Sequence, residues 1–253
     1  MKIIGVVHLK GLPGSPSNIL SLDEIIKLAQ KDVNSLVNGG VDGIIIENFG
    51  DVPFVKDNVS KRTVASFTSV VNNLAIGKDI YVGINVLRND AIAALSIAES
   101  TKSDFVRINI LNNMMYTDQG IIEGNAHKVN FLKKTLSHNI KIYADVFVKH
   151  AVPPPGSTIQ NHTKELLERA GADVVIITGD GTGQEINFDD LMKVRKIVPE
   201  GKLAIGSGVT VSNIQNYIGI ADILIIGTHF KVDRNVSKPV NTESVKRLIS
   251  KLK

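Results

Sequence analysis

AGADVVIITGDGTG, residues 170–183, holds one repeat of the chain in miniature. AGAD is a tight turn, VVIIT (174–178) is an unbroken β-branched run, and GDGTG is a glycine-rich exit. An apolar run that does not alternate with polar residues is buried on both faces, as strands of a parallel sheet are. On either side of it, seven more runs fit that description: IIGVV (3–7), GIIIE (43–47), IYVGINV (80–86), FVRINI (105–110), KIYADVF (141–147), LAIG (203–206) and ILIIG (223–227). Amphipathic stretches lie between them. SLDEIIKLAQKDVNSLV (21–37) carries Ile25, Ala29, Val33 and Leu36 along one stripe, with Ser21 or Asp23 at its start. NDAIAALSIAES (89–100), HKVNFLKKTL (127–136), TKELLERAG (163–171), DDLMKVRKIV (189–198) and TESVKRLISKL (242–252) continue the pattern. Eight β–α alternations in about 250 residues predict a single α/β domain over 1–253, a (β/α)8 TIM barrel. A doubly wound sheet is disfavoured because no GxGxxG follows the first strand.

Composition excludes other classes. With 253 residues, 43% of them hydrophobic, the chain has ample material for a core and too little polarity for disorder. Zero cysteines remove disulfides, thiolate zinc sites, iron–sulfur clusters and a cysteine nucleophile. No apolar run approaches the roughly 20 residues of a membrane span, and MKIIGVVHLKG has no signal-peptide cleavage site, so a soluble cytoplasmic protein is expected. The net charge of +4 is spread over helical lysines rather than gathered in a stripe, which speaks against nucleic acid.

Loop lengths point to function. Links into strands, such as NGGVDG and GIAD, are tight; links out of them, such as LKGLPGSPSNI, NFGDVPFVKDNVSK, LNNMMYTDQG and VKHAVPPPGSTIQ, are long. In a barrel the long links share the rim where active sites lie. IGSGVTVSN (205–213) and IGTHFKVD (226–233) leave the seventh and eighth strands. They make Gly206, Ser207, Gly208, Gly227 and Thr228 candidates for binding a phosphate through backbone amides and hydroxyls.

Polar residues embedded in apolar strands are costly without a partner or ligand. Glu47, Arg107, Asp145 and Lys149 are the candidate catalytic residues. The carboxylates would move protons, and the cations would hold charge on the substrate, with a Schiff base at Lys149 as an alternative. A structural Arg107–Asp145 or Arg107–Glu47 ion pair competes with that reading. His8, Asn48, Asn85, Arg88, Asn109, Asp118, Glu123, His150 and Thr178 are candidate substrate contacts. Asp118 and Glu123, in TDQGIIEG (117–124), are expected on the fourth loop or the first turn of its helix. No cofactor is expected. His8, Glu47, Asp145 and His150 offer nitrogen and oxygen ligands to a divalent metal, but without HxxxH-type spacing. GDGTG (179–183) reads either as an anion nest or as a lid. His127, His138 and His162 are expected at the surface.

VVHLKGLPGSP, GGVDGIIIENFGDVPF, GINVLRNDAIAAL, RINI, TDQGIIEG, ADVFVKHA, IITGDGTG and IGSGVTVSN, in this order, closely resemble the BtpA family, also called BtpA/SgcQ, over about residues 3–240. The resemblance implies a TIM barrel related to phosphate-binding barrels. The family takes its name from a cyanobacterial factor needed for accumulation of photosystem I, although its members also occur where there are no photosystems. Two departures stand out: Lys10-Gly11 replaces a more apolar, proline-containing pair, and KVDRNVSKPVN lacks a glycine near Arg234. Two functions follow. One is an enzyme (isomerase, lyase or ribosyl transferase) acting on a phosphorylated sugar or ribosyl compound, with a homo-oligomer left open. The other is a non-catalytic assembly factor. Buried polar strand ends and lysine-rich outer faces favour the enzyme.

Overall fold

The computed structural model describes residues 1–252. Its elements run β1 (Lys2–His8), α1 (Leu22–Gly39), β2 (Gly43–Glu47), α2 (Lys61–Asn72), β3 (Tyr81–Asn85), α3 (Ala91–Ser100) and β4 (Phe105–Ile108). Then come β5 (Met114–Thr117), β6 (Gly120–Glu123), α4 (Ala126–Lys133), β7 (Lys141–Val146), β8 (Ala151–Val152), α5 (Ile159–Glu168) and β9 (Val174–Ile177). The chain ends with α6 (Phe188–Arg195), β10 (Leu203–Ile205), β11 (Ile223–Ile226) and α7 (Thr242–Ile249). Eight strands close into a parallel barrel in the order β1-β11-β10-β9-β7-β4-β3-β2. All eight apolar runs read from the sequence are barrel strands.

The period of two along each strand divides the apolar residues into two layers. Ile3, Val7, Ile44, Ile46, Val106 and Ile142 face outward and join the helices in the larger core. Ile4, Val6, Ile45, Phe105, Tyr143, Ile176 and Ile225 fill the barrel interior. Gly83 is demanded by that filling, because a Cβ there would sit 2.1 Å from the Phe105 ring. The ring stacks between Tyr81 and Tyr143 at centroid distances of 5.1 and 4.3 Å.

Three details depart from the sequence reading. The helix α2 had no expectation: KRTVASFTSVVN is rich in β-branched residues with weak helix propensity. It forms because the Ser60 side chain caps its start and Phe67, Val70 and Val71 are buried against the barrel. Between β10 and β11 there is only a short 3-10 turn, Ile214–Tyr217. TDQG lies in the fourth strand-to-helix loop, not on the first turn of the helix. It turns an antiparallel hairpin in which Met114–Thr117 pairs with Gly120–Glu123, and β8 adds a third strand through Tyr116↔Val152. Gly120, at a φ of +91°, takes the turn conformation that Gly adopts without strain. No helix is long and apolar enough to cross a membrane among the described residues.

Candidate functional site

One step of two residues above the apolar interior, the inward positions change character. On β1, β2, β3 and β4 they are His8, Glu47, Asn85 and Arg107, aligned in lateral register across the sheet. On β7 the position is Asp145. Beyond β9, β10 and β11 it is Thr178, Gly206 and Gly227. One half of the barrel's uppermost layer therefore carries long polar side chains, and the other half carries almost none.

The polar half is interlocked. Arg107 donates through Nε and Nη2 to the two carboxylate oxygens of Asp145, at 2.9 and 2.8 Å, and through Nη1 to Glu47 at 3.4 Å. Asn109 donates to Asp145 Oδ2 at 3.3 Å. Asn85 donates to the Arg107 carbonyl and to Asn109 Oδ1. Burial works to lower the Arg107 pKa, but Asp145 and then Glu47 outweigh it, so the guanidinium stays charged. Asp145 is 1% exposed and does not reach the cavity above. Both of its oxygens, expected to carry a proton, are held in the Arg107 fork and turned from the cavity. Asn85 and Asn109 also stand behind the cavity.

The small-residue half leaves a cavity of about 240 Å³ at the carboxyl ends of the strands. His8, Glu47, Arg107 and Lys149 form one wall, and residues 206–210 and 227–229 form the other. A Cβ on Gly206 would crowd Ile176 and Thr178, and one on Gly227 would lie 3.1 Å from His8 Cε1. Ser207, Gly208 and Val209 offer backbone N–H groups that make no hydrogen bond among the described residues. The Ser207 hydroxyl, a candidate phosphate donor, accepts from the Gly179 amide at 2.8 Å and donates to the Gln184 carbonyl. It holds the 179–184 loop in place. Gly208, at a φ of +73°, has the Gln184 carbonyl 2.2 Å from where a Cβ would stand, so no side chain fits. Thr228 lines the cavity.

Charge in the cavity is lopsided. Lys149 forms no ion pair within 4 Å among the described residues, and burial, then Arg107, pull its pKa down to about 8 against the opposing pull of Glu47 and Asp145. His8 is held neutral by burial and then by the neighbouring Lys231, Lys149 and Arg107. Its Nε2 lies 3.9 Å from Glu47, and its Nδ1 is buried without a partner. Arg234 and His229 add donors that the sequence reading did not single out; burial and then Arg234 lower the His229 pKa. Thr182 and Gly183 also close the wall, and the glycine-rich signal at 179–183 pointed to them. His150 secures that loop: its amide donates to the Asp180 carbonyl, and its Nε2 meets the Thr182 hydroxyl at 2.9 Å and accepts from the Thr182 amide.

Other expected contacts lie elsewhere. Asn48 is fully buried and ties Asp51 to Leu87 through its amide. Arg88 donates to the Lys149 carbonyl at 2.6 Å and so positions that residue rather than lining the cavity. The Thr178 hydroxyl donates to the Phe147 carbonyl. Asp118 is exposed in the hairpin turn, and Glu123 is exposed at the end of β6; neither lines the cavity. His162 is buried, 6% exposed, with Nε2 at 3.0 Å from Asn112 Oδ1, where a surface position was expected. His8, Glu47, Asp145 and His150 do not gather: among the described residues no three His, Asp or Glu side chains form a metal-sized cluster.

The BtpA family model matches residues 1–253. An uncharacterised protein of Pyrococcus horikoshii is 42% identical over 99% of this chain and 95% of its own. The photosystem I biogenesis protein BtpA of Synechocystis is 39% identical over 98% of this chain and 86% of its own. An uncharacterised mitochondrial protein of Caenorhabditis elegans is 32% identical over 91% and 85%. Among solved structures, phosphoribosyl anthranilate isomerase from Thermotoga maritima superposes with a TM-score of 0.60 at 10% identity, covering 99% of this chain and 97% of that one. KGPDC from Streptococcus mutans gives 0.59 at 13% identity over 99% and 96%. Identities this low show the shared barrel alone.

Proposed function

The chain belongs to the BtpA family, and from that premise we propose that it is a cytoplasmic enzyme acting on a phosphorylated sugar or ribosyl compound. The observation that carries the reading is the division of the mouth: unbonded amides at Ser207–Val209 stand across one small cavity from Glu47, His8 and an unpaired Lys149. Unbonded amides beside fixed cations suit a phosphate dianion. Glu47 then faces the sugar end of the ligand. It takes a proton from a carbon or hydroxyl next to the reacting bond, while His8, neutral, donates from Nε2 to the oxygen that gains charge. Lys149 stabilises that oxygen as a cation close to its own pKa. Arg107 is fixed by Asp145 and orients Glu47. Isomerisation, carbon–carbon lysis and ribosyl transfer all use these groups.

Similarity to a protein named for photosystem I biogenesis supports a second reading, an assembly factor. Its physical support is the exposed face of the small sheet, where Tyr116, Ile121 and Val152 lie side by side on paired strands.

Thermal unfolding with ribose 5-phosphate, ribose and inorganic phosphate separates the two. A ligand bound at 100 times its Kd stabilises by about 2.7 kcal/mol. The enzyme reading expects a clear rise in Tm with ribose 5-phosphate, a smaller one with phosphate and none with ribose. An unmoved Tm across a panel of sugar phosphates contradicts it and favours the assembly factor.

A further inference from the structure

A second cavity, of about 190 Å³, lies behind His8, between α1 and the segment 231–239 that follows β11. Its walls are apolar: Leu9, Ile25, Leu28, Ala29, Val236 and Pro239. Its floor is the buried ion pair of Lys231 and Asp32, at 2.6 Å, with the second Asp32 oxygen accepting from the Val240 amide at 2.8 Å. That pair is satisfied, so the floor asks nothing of a ligand. Lysines stand at the mouth. Lys10 donates to the Ser237 carbonyl and Lys238 is held by Asp233, whereas Lys31 is exposed.

His8 lines both this cavity and the one at the barrel mouth. It is the wall between them, packed at a tilt of 47° against the Phe49 ring with centroids 4.6 Å apart, and its buried Nδ1 has no partner. Small-molecule sites usually span about 300–1,000 Å³. Neither cavity reaches that size alone, and the two together do. We propose that they are two subsites for one ligand. Its phosphate occupies the glycine side of the mouth, and a planar aromatic or heteroaromatic ring occupies the pocket between α1 and residues 231–239. His8 lies at the junction, with Nδ1 available to the ring or to the atom that joins it to the sugar. Aliphatic walls suit the faces of a ring. A margin of donors with no free carboxylate suits acceptor atoms on its edge. The inference rests on the phosphate reading above and narrows its substrate from any sugar phosphate to a ribosyl phosphate that carries a ring.

Calorimetric titration of the full chain tests it, with ribose 5-phosphate and with ribosyl phosphates bearing adenine, uracil or phenyl. Burying one face of a ring predicts at least about tenfold tighter binding of one ring-bearing compound than of ribose 5-phosphate. Leu28, 39% exposed at the mouth of the pocket, is replaced in Leu28→Trp so that the indole fills the space; Val236→Trp does the same from the opposite wall. Both should erase the margin and leave ribose 5-phosphate affinity unchanged. Equal affinities for all four compounds in the unaltered protein, or a margin that survives both substitutions, overturns the ring subsite and leaves the phosphate reading standing. If ribose 5-phosphate does not bind at all, the phosphate reading fails. Adenosine, uridine and phenyl riboside then decide the pocket: binding that Leu28→Trp abolishes supports the ring site, and no binding overturns it.

Discussion

The two halves of the barrel's top layer stand on strands of one closed parallel barrel, and they end in opposite ways. On β1–β4 and β7 the inward residue is large and polar, and each side chain except His8 is held by another. On β9–β11 it is Thr178, Gly206 and Gly227, and the space above is open. A buried ion pair is weak evidence of stability, and removing one partner is expensive. The interlocked half therefore costs something to keep, and a structural role alone does not explain why Glu47 and Lys149 face an opening lined with unbonded amides. Chemistry and recognition are divided between the halves: one fixes charged groups in place, and the other makes room.

Breaking the interlocked half should cost most. Asp145→Ala leaves the Arg107 guanidinium buried without its principal partner, and denaturant unfolding should show a loss of about 3–5 kcal/mol. A loss under about 1 kcal/mol would mean that the fork is dispensable and the two halves are less different than their geometry suggests. Once a substrate is in hand, Glu47→Gln should lower kcat by about 100-fold, the scale of a positioned acid or base. Its KM should change little if phosphate recognition lies on the other side.

The open half should respond through affinity. Gly227→Ala has an ordinary φ and makes its one tight contact with His8, so it should fold normally and weaken ribose 5-phosphate binding. The loss expected is about tenfold, or about 1.4 kcal/mol. Lys149→Met should weaken binding by a similar factor near neutral pH. In the unaltered protein anion affinity should fall as pH rises through about 8, where Lys149 loses its proton, and that fall should be absent from the variant. The same lysine ties stability to pH. Lys149 holds its proton less tightly when folded than its ordinary value of 10.5 allows, so stability rises with pH between about 8 and 10.5. Lys149→Met should therefore melt higher than the unaltered protein at pH 7, with the gap closing above pH 10.5. A lower Tm at pH 7 would show that the lysine is not buried at a cost.

The strands were legible because their burial on both faces writes unbroken Ile and Val runs such as GIIIE and VVIIT. The rim was legible because Arg107 and Asp145 inside such runs have no apolar explanation. What the sequence concealed was which polar group faces the cavity. Asp145 and Glu47 look alike in sequence, and only the Arg107 fork separates a bound carboxylate from an available one. The helix α2 was missed for lack of intrinsic propensity, since its stability comes from packing. Of the two places open to Asp118 and Glu123, the fourth loop holds, but its hairpin form was not legible because an Asp–Gln–Gly turn serves a strand pair as well as a helix start. Arg234 and His229 lie in short 3-10 turns after β11, too brief for any periodicity to report direction.

The division of labour stands or falls with the glycine half of the mouth being an anion site that faces Glu47. A crystal soaked in ribose 5-phosphate decides it. Phosphate density within hydrogen-bond distance of the Ser207, Gly208 and Val209 amides, with the sugar directed toward Glu47 and His8, is the predicted result. Density for the phosphate outside the mouth, or a mouth filled only by water at saturating ligand, would contradict it.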